Sequence, residues 1–452
     1  MDSYVNNGYW ENRQPESSLF GGMALWAMIV CVINCSLPQV EMLITGGNVP
    51  IPQGFIKIAC FSFLIILMLM YRTLDLSSFP TTAWVMAVGY LILVFPFLWF
   101  SQDKQPGEIL FAYNAYYCSL IFAPVAAALR GKVPERLAIR IFLGTFAACA
   151  LLGWAQFILQ KPLVQLASND GNFRIFASQW MMPGETLIRA TSFFGTALEY
   201  GNFAVLMAAI GIGMCGEPGG WKKGIPLYLI AAATCYTTWT RVVFLQLFVA
   251  TVAALTFTFG RKPNRVTWQP LIALGLGWLI AFSGITSLIN QEKGLSNSTS
   301  LELRLQQWET YGTTMARATV SQQLFGFGFC QADKPVIIPR KDEFYGKAVT
   351  VLVDNTYLAL MLHIGVIGTL VMMGLLWGMW RHLRMEAANR PTPMLVGIAS
   401  FWATFLMTGM FNIQAANFGY WYLIGLIVLH RASEAGQETQ WVAPLEPGLE
   451  LG

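Results

Sequence analysis

Apolar runs of roughly 20 residues recur along this chain from about residue 19 to about residue 431, separated mostly by short polar links. At 1.5 Å per residue, each run matches the roughly 30 Å of hydrocarbon in a bilayer. Backbone groups at that depth find no water, so a chain of this pattern crosses as helices. Composition agrees: 55% of the 452 residues are hydrophobic, 12% are charged, and the mean hydropathy is +0.52. A soluble globular chain is about 25% charged. The expected fold class is an all-α polytopic membrane protein.

Twelve spans are expected, at about 19–38, 54–71, 82–100, 109–129, 138–158, 198–215, 225–240, 242–259, 270–290, 355–378, 394–411 and 417–431. Arg241 divides the seventh from the eighth with no real loop, so two full spans and a tight re-entrant hairpin both fit. Residues 1–18 are polar with mixed charge and read as no signal peptide. With a cytoplasmic N-terminus, thirteen Lys and Arg fall in the cytoplasmic links, from Arg72 to Arg390. The short links opposite hold Lys104 and Arg241. That asymmetry orients the chain with both termini in the cytoplasm. The division is then spans one to nine over 1–290, with an outer loop at 159–197. A large outer loop follows at 291–353, the last three spans at 354–431, and a cytoplasmic tail at 432–452.

The large outer loop is a polar island, with thirteen Asp, Glu, Lys and Arg between apolar runs. Thr299-Ser300-Leu301-Glu302 has the form of a capping box. Leu301, Leu305, Trp308 and Tyr311 follow at helical spacing, which predicts an amphipathic helix on or near the membrane surface. Phe325-Gly326-Phe327-Gly328-Phe329 is a flexible aromatic stretch suited to an interface. It lacks the Lys-Ser/Thr and the preceding strand of a phosphate loop. The island ends at Val353-Asp354-Asn355-Thr356-Tyr357-Leu358, where the chain re-enters apolar sequence.

Charges at these re-entry points are the candidates for chemistry. Arg241 lies between two apolar helices, where an embedded Arg costs about 2.5–3.5 kcal/mol. A snorkelling helix-end residue is the bland reading; the functional one is an anion clamp, since the guanidinium fork matches phosphate geometry. Arg189 opens Arg189-Ala190-Thr191-Ser192-Phe193-Phe194 and precedes Glu199-Tyr200 at the next span. It reads as a second clamp residue or as a loop partner of Glu185 or Glu199. Arg304 sits on the loop helix, on a solvated face beside Glu302 and Glu309 or as a third clamp residue. Asp354 is the candidate acid or base, with helix N-capping as its structural alternative. Neighbouring arginines would hold its carboxylate ionised, ready to accept a proton from an attacking hydroxyl. His363 reads as a packed, hydrogen-bonded residue. Seven of the eight cysteines lie in apolar runs and read as small core residues, with no metal-ligand spacing. A net charge of +4, dispersed along the chain, gives no basis for nucleic-acid binding.

Together these segments resemble the O-antigen polymerase/ligase superfamily of bacterial envelope glycan assembly. Arg189 to Asn202 is similar to that family's Arg-x-x-(Ser/Gly)-x-Phe stretch before a span. Thr238 to Arg241 is similar to its Thr-x-Ser-Arg segment, with Thr240 for Ser. Arg304 and Trp308, Gly326-Phe327-Gly328, Asp354-Asn355-Thr356-Tyr357-Leu358 and Gly365-Val366-Ile367-Gly368 follow the family's succession over about residues 185–370.

The resemblance implies a GT-C-type, metal-independent, inverting glycosyltransferase at the periplasmic face of the inner membrane. It needs no cofactor. Its substrates are undecaprenyl-pyrophosphate-linked oligosaccharides held in the lipid bilayer, and a chain-length regulator and a flippase are its implied partners. Arg189, Arg241 and Arg304 would hold the donor pyrophosphate, and Asp354 would activate the acceptor. Asn355, Tyr357, Glu199 and Tyr200 would contact sugars. Ligases of this family carry His where this chain has Asp354, so a polymerase of O-antigen or exopolysaccharide is the expected member. An O-antigen ligase and, in another class, a polysaccharide transporter or flippase are the alternatives.

Overall fold

The computed structural model describes residues 122–130, 133–161, 165–167, 173–175, 178–182, 185–194, 197–260, 299–327, 336–338, 349–351, 355–404 and 415–428, with short helical stretches within 21–29, 62–66 and 81–89. The expected first, second, third and ninth spans, most of the fourth, both termini and Asp354 lie wholly or largely outside these residues.

Every long described element is a helix: α1 Ala123–Leu129, α2 Glu135–Leu159, α3 Ala197–Cys215, α4 Trp221–Thr237, α5 Arg241–Phe259, α6 Thr299–Arg317, α7 Val320–Phe325, α8 Thr356–Asn389, α9 Pro393–Ala403 and α10 Ala415–Val428. Among the described residues four helices, α2, α3, α5 and α8, are long and apolar enough to cross a bilayer. The molecule is thus a helical membrane protein. α4 stops at Thr237, three residues short of the expected span, and α8 runs eleven residues past its expected end.

Glycines at helix crossings fix the directions of the helices. A Cβ on Gly201 of α3 would strike the Val243 side chain of α5, and one on Gly216, just past α3, would strike Thr258. The starts of α3 and α5 therefore lie together, as do their ends, and the two helices run parallel. Gly211 of α3 packs on the backbone of Gly224 and Tyr228, while Gly201 O accepts from Cys235 Sγ at 4.0 Å, so α4 returns antiparallel. Gly213 meets Pro393, and Ile210 meets Gly397, so α9 begins where α3 ends. Only Arg390–Thr392 separate α8 from α9, and Gly425 of α10 packs on both Leu383 and Ile398, as in an antiparallel pair. α3, α5 and α8 thus start at one end of the bundle, here called upper, where α2 and α4 finish. Both long polar loops attach at this upper end.

These close approaches make the α3 glycines structural. Gly211→Ala would place a Cβ 2.8 Å from Gly224 O and 3.0 Å from Tyr228 N, backbone atoms that cannot rotate away. The expected destabilisation is about 1–3 kcal/mol, read as a lowered thermal midpoint of the detergent-solubilised protein.

The loops depart from the expected all-helical picture. Among the described residues there are three separate two-stranded antiparallel hairpins: β1 Gln165–Ala167 with β2 Phe173–Ile175, β3 Ser178–Met182 with β4 Glu185–Arg189, and β5 Val336–Ile338 with β6 Val349–Val351. The first two lie in the 159–197 loop. Five-residue runs on either side of Pro183-Gly184 are too short for a stable helix, and Pro-Gly between them is a turn signal.

In the larger loop, α6 begins at Thr299, where the capping-box pattern places it. Its later half is docked on α8. Tyr311 and Met315 bury against Ala359 and Leu362, with Phe327 and Leu358 at the margin. α8 is broken at Gly365, whose φ of 67° and ψ of −174° are not helical.

Candidate functional site

The upper end concentrates the buried polar side chains of an otherwise apolar bundle. Gln156, near the end of α2, is fully buried. Its Oε1 accepts from Thr191 N at 3.1 Å and Ser192 N at 2.8 Å. Ser192 Oγ donates to Cys149 O at 2.6 Å. On the other side, Ala190 N donates to Thr237 O at 3.2 Å. Segment 189–192 is thereby stitched to α2 and to the end of α4.

Backbone strain gathers in the same place. Gln160, Ser192 and Trp239 have φ of 49°, 54° and 47°, and they are the non-glycine residues with positive φ among those described. All three lie at the upper end: one closes α2, one is in the 189–194 turn, and one is in the corner between α4 and α5. Each such conformation costs on the order of 1–3 kcal/mol and persists where the surroundings over-determine it, most often at functional sites. Here the hydrogen bonds of Gln156 and Ser192 hold one turn. An aromatic cluster holds the corner: Phe157, Tyr236 and Trp239 have ring centroids 5.9–6.4 Å apart.

The corner residues are Thr238, Trp239 and Thr240. Thr238 is buried, with Oγ1 donating to Cys235 O at 2.7 Å. Thr240 is the N-cap of α5, yet its hydroxyl donates to Thr238 O at 2.9 Å and makes no cap bond to the first-turn amides. Arg241 is the first residue of α5, and it is exposed. The sequence sets Arg241 between two apolar helices, and the structure places it at the corner where α4 hands over to α5. A cation at a helix N-terminus opposes the helix dipole, by about 0.3–1 kcal/mol. Arg241 and the positive end of α5 both favour an anion at this corner.

Arg189 ends β4, opposite Ser178, and is half-buried. The Ala190–Thr237 bond sets its backbone beside the corner that leads to Arg241. Glu199, in the first turn of α3, is half-buried. Tyr200 is fully buried; its hydroxyl packs on Gly153 and its ring lies 6.1 Å from that of Phe194. It is a core residue of this end rather than part of a solvent-facing wall.

Asn355 and Tyr357 form a second cluster at the start of α8. Asn355 is buried and is the N-cap, with Oδ1 accepting from Tyr357 N at 2.9 Å and Leu358 N at 3.1 Å. The capping role weighed for Asp354 therefore belongs to its neighbour. Tyr357 is half-buried. Arg304 lies on α6, but its side chain, like Asp354, is outside the described residues. Between the two clusters stands α9, which packs on α3, α5 and α8.

The cap gives a direct prediction. Asn355→Ala removes both cap bonds and should lower stability by about 1 kcal/mol, whereas Asn355→Ser and Asn355→Asp keep a capping oxygen. Thermal midpoints of the three variants check the ranking.

Among the described residues no group of three or more His, Cys, Asp and Glu gathers to hold a metal. Cys149 and Cys235 are buried free thiols, as expected of core residues. Sequence reasoning missed Gln156 and Ser192. Gln156 was visible as a lone amide within an apolar run. Compared with known proteins, the chain matches no family model and no curated sequence.

Proposed function

We propose that the protein is a periplasmic-face polymerase that joins undecaprenyl-pyrophosphate-linked oligosaccharide repeat units into O-antigen or exopolysaccharide. In this reading it is a twelve-span, GT-C-like enzyme of the bacterial inner membrane. Its upper end faces the periplasm, in line with the Lys and Arg asymmetry. The observation that carries the proposal is the upper corner. The segment that carries Arg189 is tied by the Ala190–Thr237 hydrogen bond to the end of α4, whose strained corner leads into Arg241, at the upper end of the membrane helices. That arrangement suits a phosphate-bearing headgroup whose lipid tail lies along apolar helices.

In the proposed reaction, the acceptor hydroxyl attacks the anomeric carbon of the donor sugar. The new C–O bond forms as the bond to the pyrophosphate breaks, with inversion. The hydroxyl proton passes to the Asp354 carboxylate, and the pyrophosphate leaves with its charge stabilised by Arg189, Arg241 and Arg304. Such preorganised charge is the largest single term in many enzymes. Glu199 and Tyr357 line the approach to the two clusters as sugar contacts.

The test is incubation of the reconstituted protein with lipid-linked repeat units, in excess chelator, followed by gel analysis. A ladder of polymer, lost in Asp354→Asn, is the expected result. A single transfer onto lipid A-core without a ladder would move the assignment to ligase. Translocation of the lipid-linked unit without any new glycosidic bond would remove it from the enzymes.

A further inference from the structure

We infer that α7 is embedded in the bilayer: the large outer loop dips into the membrane there, and its interaction partner is lipid hydrocarbon. The inference is independent of the proposed reaction. It starts from the exposed face of α8. Below the break at Gly365, Val366, Ile367, Leu370, Val371 and Trp377 are exposed, at the spacing of one helical stripe. On a membrane-crossing helix this is the lipid-facing side. Above the break the stripe stops, and none of residues 356–364 is exposed.

The hydrocarbon cannot stop there. Arg381 is exposed on the same helix, sixteen residues below Gly365, which is about 24 Å at 1.5 Å per residue. A bilayer core is about 30 Å thick. Trp377 and Trp380, 4.7 Å apart, with Arg384 over the Trp380 ring, mark an interfacial belt that shortens the lower part further. At least 6 Å of hydrocarbon must therefore lie above Gly365, at the level where α8 shows no apolar face of its own.

What stands at that level is the end of α7. A Cβ on Gly326 would fall 2.5 Å from His363 O and 2.6 Å from Gly365 N. A Cβ on Gly365 would in turn fall on the carbonyl of Leu324. Phe327 N donates to Leu362 O at 2.7 Å, filling a carbonyl beside the break. The outward face of α7 carries Val320, Leu324 and Phe325, at 70%, 38% and 53% exposure, together with Ser321. Its polar groups are paired within the protein, and Ser321, exposed on the same helix, has its Oγ 3.1 Å from Thr319 Oγ1. Thr319 and Gln322 form a reciprocal capping box, and Gln323 Nε2 donates to Met315 O at 3.0 Å. Gly326 N donates to Gln322 O at 2.8 Å. Irregular backbone is tolerated at membrane depth only when its polar groups are satisfied by protein in this way. α7 thus continues the lipid-facing stripe that α8 breaks off.

The test places a fluorescent amino acid, by amber suppression, at Phe325 and separately at Val320 of the full chain. The protein is reconstituted in phosphatidylcholine vesicles with or without dibromostearoyl chains. Leu370 serves as the lipid-facing reference, and Thr313, exposed on α6, as the aqueous one. Brominated lipid is expected to quench the 320 and 325 probes as strongly as the 370 probe, while iodide quenches only the 313 probe. Iodide quenching of 320 and 325 would place α7 in water, and quenching by neither agent would place it under protein. Either result overturns the inference. The two positions are independent, so misfolding of one variant leaves the other decisive.

Discussion

Arg241→Ala is expected to abolish polymer formation while leaving the protein level unchanged. The two halves of the prediction rest on the same geometry. Arg241 is the exposed first residue of α5, so removing its side chain opens no cavity. Its charge stands at the positive end of α5, where both favour an anion. Removing a preorganised charge from a leaving group lowers rates by about 10²–10³-fold, and loss of an arginine clamp on transferring phosphoryl groups by about 10³–10⁵-fold. Over repeated additions either loss leaves no polymer. Arg241→Lys keeps the charge but not the bidentate fork and should fall between. Polymer length, protein level and thermal midpoint, measured together, check the prediction. A thermal midpoint that fell with activity would return Arg241 to a structural role.

The second large effect is expected from Gly326→Ala. Gly326 has φ 84° and ψ −177°, a conformation essentially restricted to glycine. Its missing Cβ leaves room for the backbone of His363 and Gly365, and neither can move without moving α8. Strain of about 1–3 kcal/mol adds to the steric conflict. The Phe327–Leu362 bond, worth about 0.5–1.5 kcal/mol, is lost with it. The outer loop should undock from α8, with a lowered thermal midpoint and faster proteolysis near Thr319. Gly365→Ala should do the same from the other side of the contact, and the pair should be less than additive, since one docking event is lost. Gly312→Ala is the contrasting case. Gly312 lies on α6 with nothing within 4 Å of its added Cβ, and better helix propensity should raise stability by up to about 1 kcal/mol.

The membrane-crossing helices were legible because apolar length is a direct consequence of bilayer thickness. The starts of α3 and α5 fall within a residue of expectation for that reason. The ends were less legible. α8 continues to Asn389 because Arg381 and Arg384 suit a helix leaving the membrane as well as they suit a loop. Arg189 and Arg241 were recognisable as charges at re-entry points. Their shared corner was not, since it depends on one bond from Ala190 to Thr237 and on an amide, Gln156, that the apolar pattern of α2 obscures. The β3–β4 hairpin carried a Pro-Gly signal, overridden by the helical character of everything around it. Gly326 and Gly365 each stood out as glycines in flexible or family-like stretches. Their contact joins two distant segments through backbone atoms, which leave no mark on side-chain pattern.

In the proposed reaction the upper corner holds a pyrophosphate through arginine rather than through a metal. The most direct measurement is thermal stabilisation of the purified protein by undecaprenyl pyrophosphate in excess chelator, with undecaprenol as the control lipid. The pyrophosphate is expected to raise the midpoint of the wild type without metal, undecaprenol is not, and Arg241→Ala and Arg189→Ala are expected to lose the shift. An equal shift in Arg241→Ala, or a shift that appears only when a divalent cation is restored, would contradict the proposal.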